Sequence, residues 1–85
     1  MVNEQLPPGE YIIQVRGETA GDDNALLHII TIHAVATVDP TDRVFAAARG
    51  AIGYVERSMP AALATHVLFL DGESGREMLR WDIGA

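Results

Sequence analysis

The chain has 85 residues, of which 48% are hydrophobic, and twelve acidic residues against six arginines give it a formal charge of −6. It holds no cysteine and no lysine, which excludes disulfides, thiolate metal ligands, a cysteine nucleophile, Schiff-base chemistry and a phosphate-loop lysine within this chain. A domain of this size buries only about 60% of the surface of its unfolded chain. Self-association would therefore add stability, while the negative charge repels a nucleic-acid backbone and favours a partner with a basic surface.

In chain order, Met1 to Gly9 is polar and ends in Leu6-Pro7-Pro8-Gly9. The two prolines remove backbone donors and favour an extended form, so a mobile arm is expected over residues 1–9 and a single domain over 10–85. Met1 to Gln5 has neither the basic start nor the apolar core of a signal peptide, and no run of about eighteen apolar residues occurs to cross a membrane. The expectation is a cytoplasmic protein. Glu10 to Arg16 alternates, with Tyr11, Ile13 and Val15 on one face and Glu10, Gln14 and Arg16 on the other, as a half-wet strand does. Gly17 to Asn24 is rich in turn formers and carries Glu18, Asp22 and Asp23, so it reads as an exposed hairpin loop. These acids lack the alternating ligands, central glycine and closing glutamate of a calcium loop.

Leu26 to Val38 is too rich in Ile, Val and Thr to prefer a helix and reads as a strand. Its even positions from Leu26 to Val38 are apolar apart from His28 and point to the core. The odd positions, among them Ile29, Thr31, His33 and Val35, mix apolar and polar groups. At roughly 3.3 Å per residue this strand would span about 43 Å, so it must bend, bulge or project. Asp39 then suits an N-cap, Pro40 the first helical position and Asp42 the positive end of the helix dipole. Val44, Ala48, Ala51, Ile52, Val55 and Met59 form the inward stripe, with Arg43, Arg49, Glu56 and Arg57 outward. Gly50 and Gly53 each cost the helix about 1 kcal/mol relative to alanine. They suggest close packing on the helix's own sheet or a smooth surface for another chain.

Ser58-Met59-Pro60 ends the helix, with one further turn expected over Ala61 to Ala64. His66 to Leu70 is a third strand, Asp71 to Gly75 a hairpin turn, and Glu77 to Ile83 a fourth strand with Leu79, Trp81 and Ile83 inward. The fold class is therefore α+β: a four-stranded, mainly antiparallel sheet with one helix on one face, in ββαββ order.

Such a layout leaves one sheet face bare. Ile12, Gln14, Arg16, Ile29, Thr31, His33, Val35, Arg80 and Asp82 are expected to line it, too apolar a set for plain solvent surface. This points to a homodimer or to another protein bound there. Converging catalytic groups are not apparent: His28 and His33 fall on opposite strand faces, His66 lies on a different strand, and neither serine sits in a nucleophile elbow. No catalytic residue, cofactor or metal site is expected. The alternative is a small-ligand or enzyme-like domain whose site forms at a dimer interface from His33, Arg16, Arg80 and Asp82.

The run Thr37-Val38-Asp39-Pro40-Thr41-Asp42 leading into Phe45-Ala46-Ala47-Ala48, followed by His66 to Leu70 and Glu77 to Ile83, resembles the layout of small acidic phage-encoded inhibitors of the anti-CRISPR group. That layout is a hairpin, a helix opening directly off the strand, and a closing hairpin. The resemblance covers residues 10–83 as an order of elements. It implies a non-catalytic protein that binds a basic nucleic-acid channel or subunit surface of a defence complex, through acids such as Glu18, Asp22, Asp23, Glu56, Asp71 and Glu73.

Overall fold

The computed structural model describes residues 6–34 and 39–83. Its elements follow the expected order: β1 (Gly9–Thr19), β2 (Asp22–Ala34), α1 (Pro40–Ser58), β3 (Leu63–Asp71) and β4 (Glu77–Asp82). The strands form one antiparallel sheet in the order β2-β1-β3-β4, so β1 and β3 are central and β2 and β4 are edges. This is the α+β architecture read from the alternation of the strands and the 3.6-residue period of the helix.

The helix starts where the chemistry of its first residues predicts. The Asp39 carboxylate accepts hydrogen bonds from the Thr41 and Asp42 backbone N–H groups at 3.1 and 3.4 Å, satisfying two donors the helix cannot pair internally. It ends at Met59, whose N–H donates to the Val55 carbonyl at 2.8 Å, and Pro60 prevents continuation. Val44, Ala48, Ala51 and Val55 are buried against Tyr11, Ile13 and Val15 of β1 and Val67 and Phe69 of β3. Each large aliphatic side chain so buried contributes about 1.5–3 kcal/mol. On the β4 side, the Phe45 ring lies 5.0 Å from that of Phe69 and 5.3 Å from that of Trp81, closing the core.

Several boundaries differ from expectation. The loop expected over 17–24 is a turn at Ala20 and Gly21, because β1 runs on to Thr19 and β2 begins at Asp22. The acids there stay in strand because both rims of the hairpin face water. At Gly17 of this hairpin a Cβ would lie 1.9 Å from the Leu63 carbonyl oxygen, so only glycine lets β3 approach this closely. That approach also draws Leu63 and Ala64 into β3 in place of a further helical turn. The arm expected over residues 1–9 is docked from Leu6 onward. Leu6 is buried and its N–H donates to Thr41 Oγ1 at 2.7 Å, while the Tyr11 hydroxyl donates to the Pro7 carbonyl at 2.6 Å. An apolar residue just before two prolines finds a gap at the helix start.

Strand β2 bulges, one of the outcomes its length required. Val15 pairs with His28 but Arg16 pairs with Leu26, leaving Leu27 as the extra residue. The bulge reverses the alternation, so Leu26, expected inward, is 47% exposed on the outer face, and Leu27 takes the buried place. Beyond it the expected parity holds: Ile30 and Ile32 pack on the core and Ile29 faces out. Val35 to Val38, expected to extend this strand, lie outside the described residues. Of the two helix glycines expected either to pack on the sheet or to offer a smooth surface, Gly50 faces away from the sheet, with no atom within 4 Å of an added Cβ.

Candidate functional site

With α1 on one side, the other face of the sheet is uncovered among the described residues. Register and alternation set its side chains in rows running across β2, β1, β3 and β4. One row is Thr31, Ile12, Leu70 and Glu77; the next is Ile29, Gln14, Leu68 and Arg80; the third is Leu26, Arg16, His66 and Asp82. Ile12, Leu68 and Leu70 are half-buried, and Leu26, Ile29 and Leu63 are 47%, 49% and 61% exposed around them. Six large apolar side chains, interleaved with Gln14 and Arg16, thus share one uncovered face, a pattern that suits an interaction surface.

The third row makes one polar corner. The Arg16 guanidinium is held by the Gln14 side-chain oxygen at 3.1 Å and the Asn24 carbonyl at 3.2 Å, and Arg80 pairs with Asp82 at 2.8 Å. Between them His66 is buried to 8% exposure, with Nδ1 2.9 Å from Thr65 Oγ1. The Thr65 hydroxyl is placed to donate to the Arg16 carbonyl at 3.4 Å, and in the tautomer that matches this its oxygen accepts from His66 Nδ1–H. That tautomer leaves Nε2 as the acceptor, without a hydrogen-bond partner among the described residues. Burial, then Arg80 and Arg16, hold the imidazole's pKa below its ordinary value of 6.5 against the opposing pull of Asp82. The corner therefore presents an imidazole whose neutral form is favoured, beside Arg16 and the Arg80–Asp82 pair, a chemistry suited to receiving a hydrogen-bond donor.

The alternative set of His33, Arg16, Arg80 and Asp82 comes together only in part. Arg16, Arg80 and Asp82 gather, but His33 lies across from Glu10 at the far end of β2, and His66 occupies the place expected for it. The alternation of His66 with Leu68 and Leu70 could have put this histidine on the open face; the pairing of β1 with β3 that brings it to Arg16 has no local signal. His28 faces the helix, its ring stacked on Tyr54 with centroids 4.5 Å apart.

Ile29, Thr31 and His33 share the outer face of β2, and all three are exposed. The acids divide into two groups. Glu18, Asp22 and Asp23 stand at the β1–β2 turn, whereas Asp71 and Glu73 stand at the β3–β4 turn. Seven residues of β1, from the level of Asp71 to that of Leu63, separate the two groups by about 23 Å. Glu56 is on the water-facing side of α1, apart from both. Asp71 is engaged in its own turn: its carboxylate accepts from Ser74 N–H and Oγ–H at 3.1 and 2.7 Å, which holds its pKa below the ordinary value. Among the described residues no group of three or more His, Asp or Glu side chains is placed to hold a metal ion. An apolar depression lined by Thr19, Ala20 and Met59 to Ala62 offers no titratable group.

Comparison with known proteins produced no match: no family model fits the chain, and neither a curated protein nor a solved structure resembles it at a significant level.

Proposed function

We propose that this chain is a non-catalytic protein-binding module that docks through the open face of its sheet. Its partner offers an apolar strip flanked by basic residues. The observation that supports this reading is the apolar centre formed by Ile12, Leu68 and Leu70 with Leu26, Ile29 and Leu63 exposed around it, bounded at both ends by acids. Apolar burial at the centre supplies affinity, while the acid groups at the two turns steer a basic partner and set its orientation. An inhibitor of a nucleic-acid-handling complex, of phage or mobile-element origin, is the specific form that the order of elements suggests.

The test is capture of partners by wild-type protein and by Leu68→Arg, which places a charge at the centre of the face. A partner retained by wild type at low salt, weakened by salt and lost with Leu68→Arg supports the proposal. Capture unaffected by Leu68→Arg refutes it. The free His66 Nε2 between Arg16 and Arg80 favours a second reading, in which the same face holds a small ligand that donates a hydrogen bond to it. In that case His66→Ala abolishes ligand binding while leaving protein capture in place.

A further inference from the structure

We propose that a second copy of this chain pairs antiparallel along the β2 edge, joining two sheets into one and setting the two helices side by side. This surface is separate from the open face. The two edges of the sheet are built differently. Both edges carry a bulge, β4 at Met78 and β2 at Leu27, but β4 is short, six residues, and carries the charges of Glu77, Arg80 and Asp82, devices that keep an edge from pairing. β2 has thirteen residues, and from Asn24 to Ala34 it carries no proline, glycine, arginine or acid. Among the described residues it is paired on one side only, to β1. Asp22 and Asp23 lie at one end of it, so an antiparallel mate keeps its acids at the opposite end from these, where a parallel mate would stack them.

The helix supplies the second observation. The stack of Tyr54 on His28 shows which flank of α1 lies toward this edge, and helical spacing puts Arg43, Ala47 and Gly50 on the same flank. Tyr54 is 48% exposed and Gly50 is open, a bare glycine in mid-helix with no packing reason inside its own chain. A second copy gives it one. With the two-fold axis midway between Ala47 and Gly50, each Ala47 faces the other chain's Gly50, and each Tyr54 stands level with the other chain's Arg43, ring to guanidinium. The same axis must pass through the strand. Rising about 1.5 Å per residue from Tyr54, the helix reaches that midpoint after about 8 Å. At about 3.3 Å per residue, β2 covers about the same distance from His28 to the level of Ile30 or Thr31, and an axis normal to the sheet there sets that residue opposite its own copy. One axis therefore serves both elements and leaves both helices on one side. A copy of the chain is the partner that brings a free strand and a smooth helix at matching separation.

The test is sedimentation equilibrium of the wild type and of Gly50→Glu. A Cβ added at Gly50 has no atom of the described residues within 4 Å, so the variant is expected to fold, and circular dichroism checks this. The wild type should have twice the 9.2 kDa chain mass, and Gly50→Glu should weaken association by at least about tenfold through crowding and like charge near the axis. Hydrogen exchange gives an independent readout: amides of Ile29 to Ile32 that point off the sheet are protected in the dimer and exchange fast in the monomer. A wild type that stays monomeric, or a dimer that Gly50→Glu leaves intact, overturns the proposal. Because Gly50 is on the helix side, Gly50→Glu leaves partner capture by the open face unchanged, so the two proposals fail separately.

Discussion

Replacing Gly17 by alanine puts the centre of the sheet under a direct test. The added Cβ would lie 1.9 Å from the Leu63 carbonyl oxygen, 2.8 Å from its carbonyl carbon and 2.9 Å from the Ala64 Cα, all backbone atoms that cannot swing aside. Reaching ordinary contact requires β3 to retreat by about 1.5 Å. That opens the pairings of Gly17 with Ala64 and of Glu18 with Leu63. Losing two backbone hydrogen bonds costs about 1–3 kcal/mol and the overpacking about 1–3 more, so the variant should lose about 2–6 kcal/mol. A chain of this length has a total stability of about 4–13 kcal/mol, and the melting temperature should fall by about 10–35 °C. Urea titration and thermal melting followed by circular dichroism measure both. Gly21→Ala is the control: it sits in the adjacent turn with nothing within 4 Å of the new methyl, and it should stay within about 0.5 kcal/mol of wild type. A Gly17→Ala protein as stable as the Gly21→Ala control would show that β3 does not approach β1 as described.

Asp39→Ala removes the acceptor for two helix N–H groups and should cost about 1 kcal/mol in urea, with Asp39→Ser restoring most of it. Stability should also depend on pH in two windows. His66 has its pKa lowered in the fold, so the unfolded chain binds the proton first; stability is full above about pH 6.5 and declines as pH falls toward the folded value, a slope that His66→Gln should remove. Asp71, also held below its ordinary 3.8, contributes stability above that value and loses it as pH falls through the folded pKa. Ser74→Ala should flatten that second decline.

Local chemistry alone carried much of the architecture. The alternation of Tyr11, Ile13 and Val15, the N-cap and proline at Asp39 and Pro40, and the Asp71 to Gly75 turn each act within a few residues, and each appears in the structure where the sequence placed it. The bare sheet face was legible too, since one amphipathic helix can cover only one side. What the side chains on that face do was less legible: His33, chosen for its position in the long strand, stands away from the arginines that His66 meets.

The amino-acid sequence by itself determined which segments extend, which segment coils and which faces are apolar, because these follow from side-chain shape and period. Tertiary structure alone decided that β1 pairs with β3, that a bulge at Leu27 turns Leu26 outward, and that Arg16, His66 and Asp82 share a row. Those outcomes rest on contacts between residues far apart in the chain, where close approach at Gly17 and the fit of the core choose one register among several that local preference would allow.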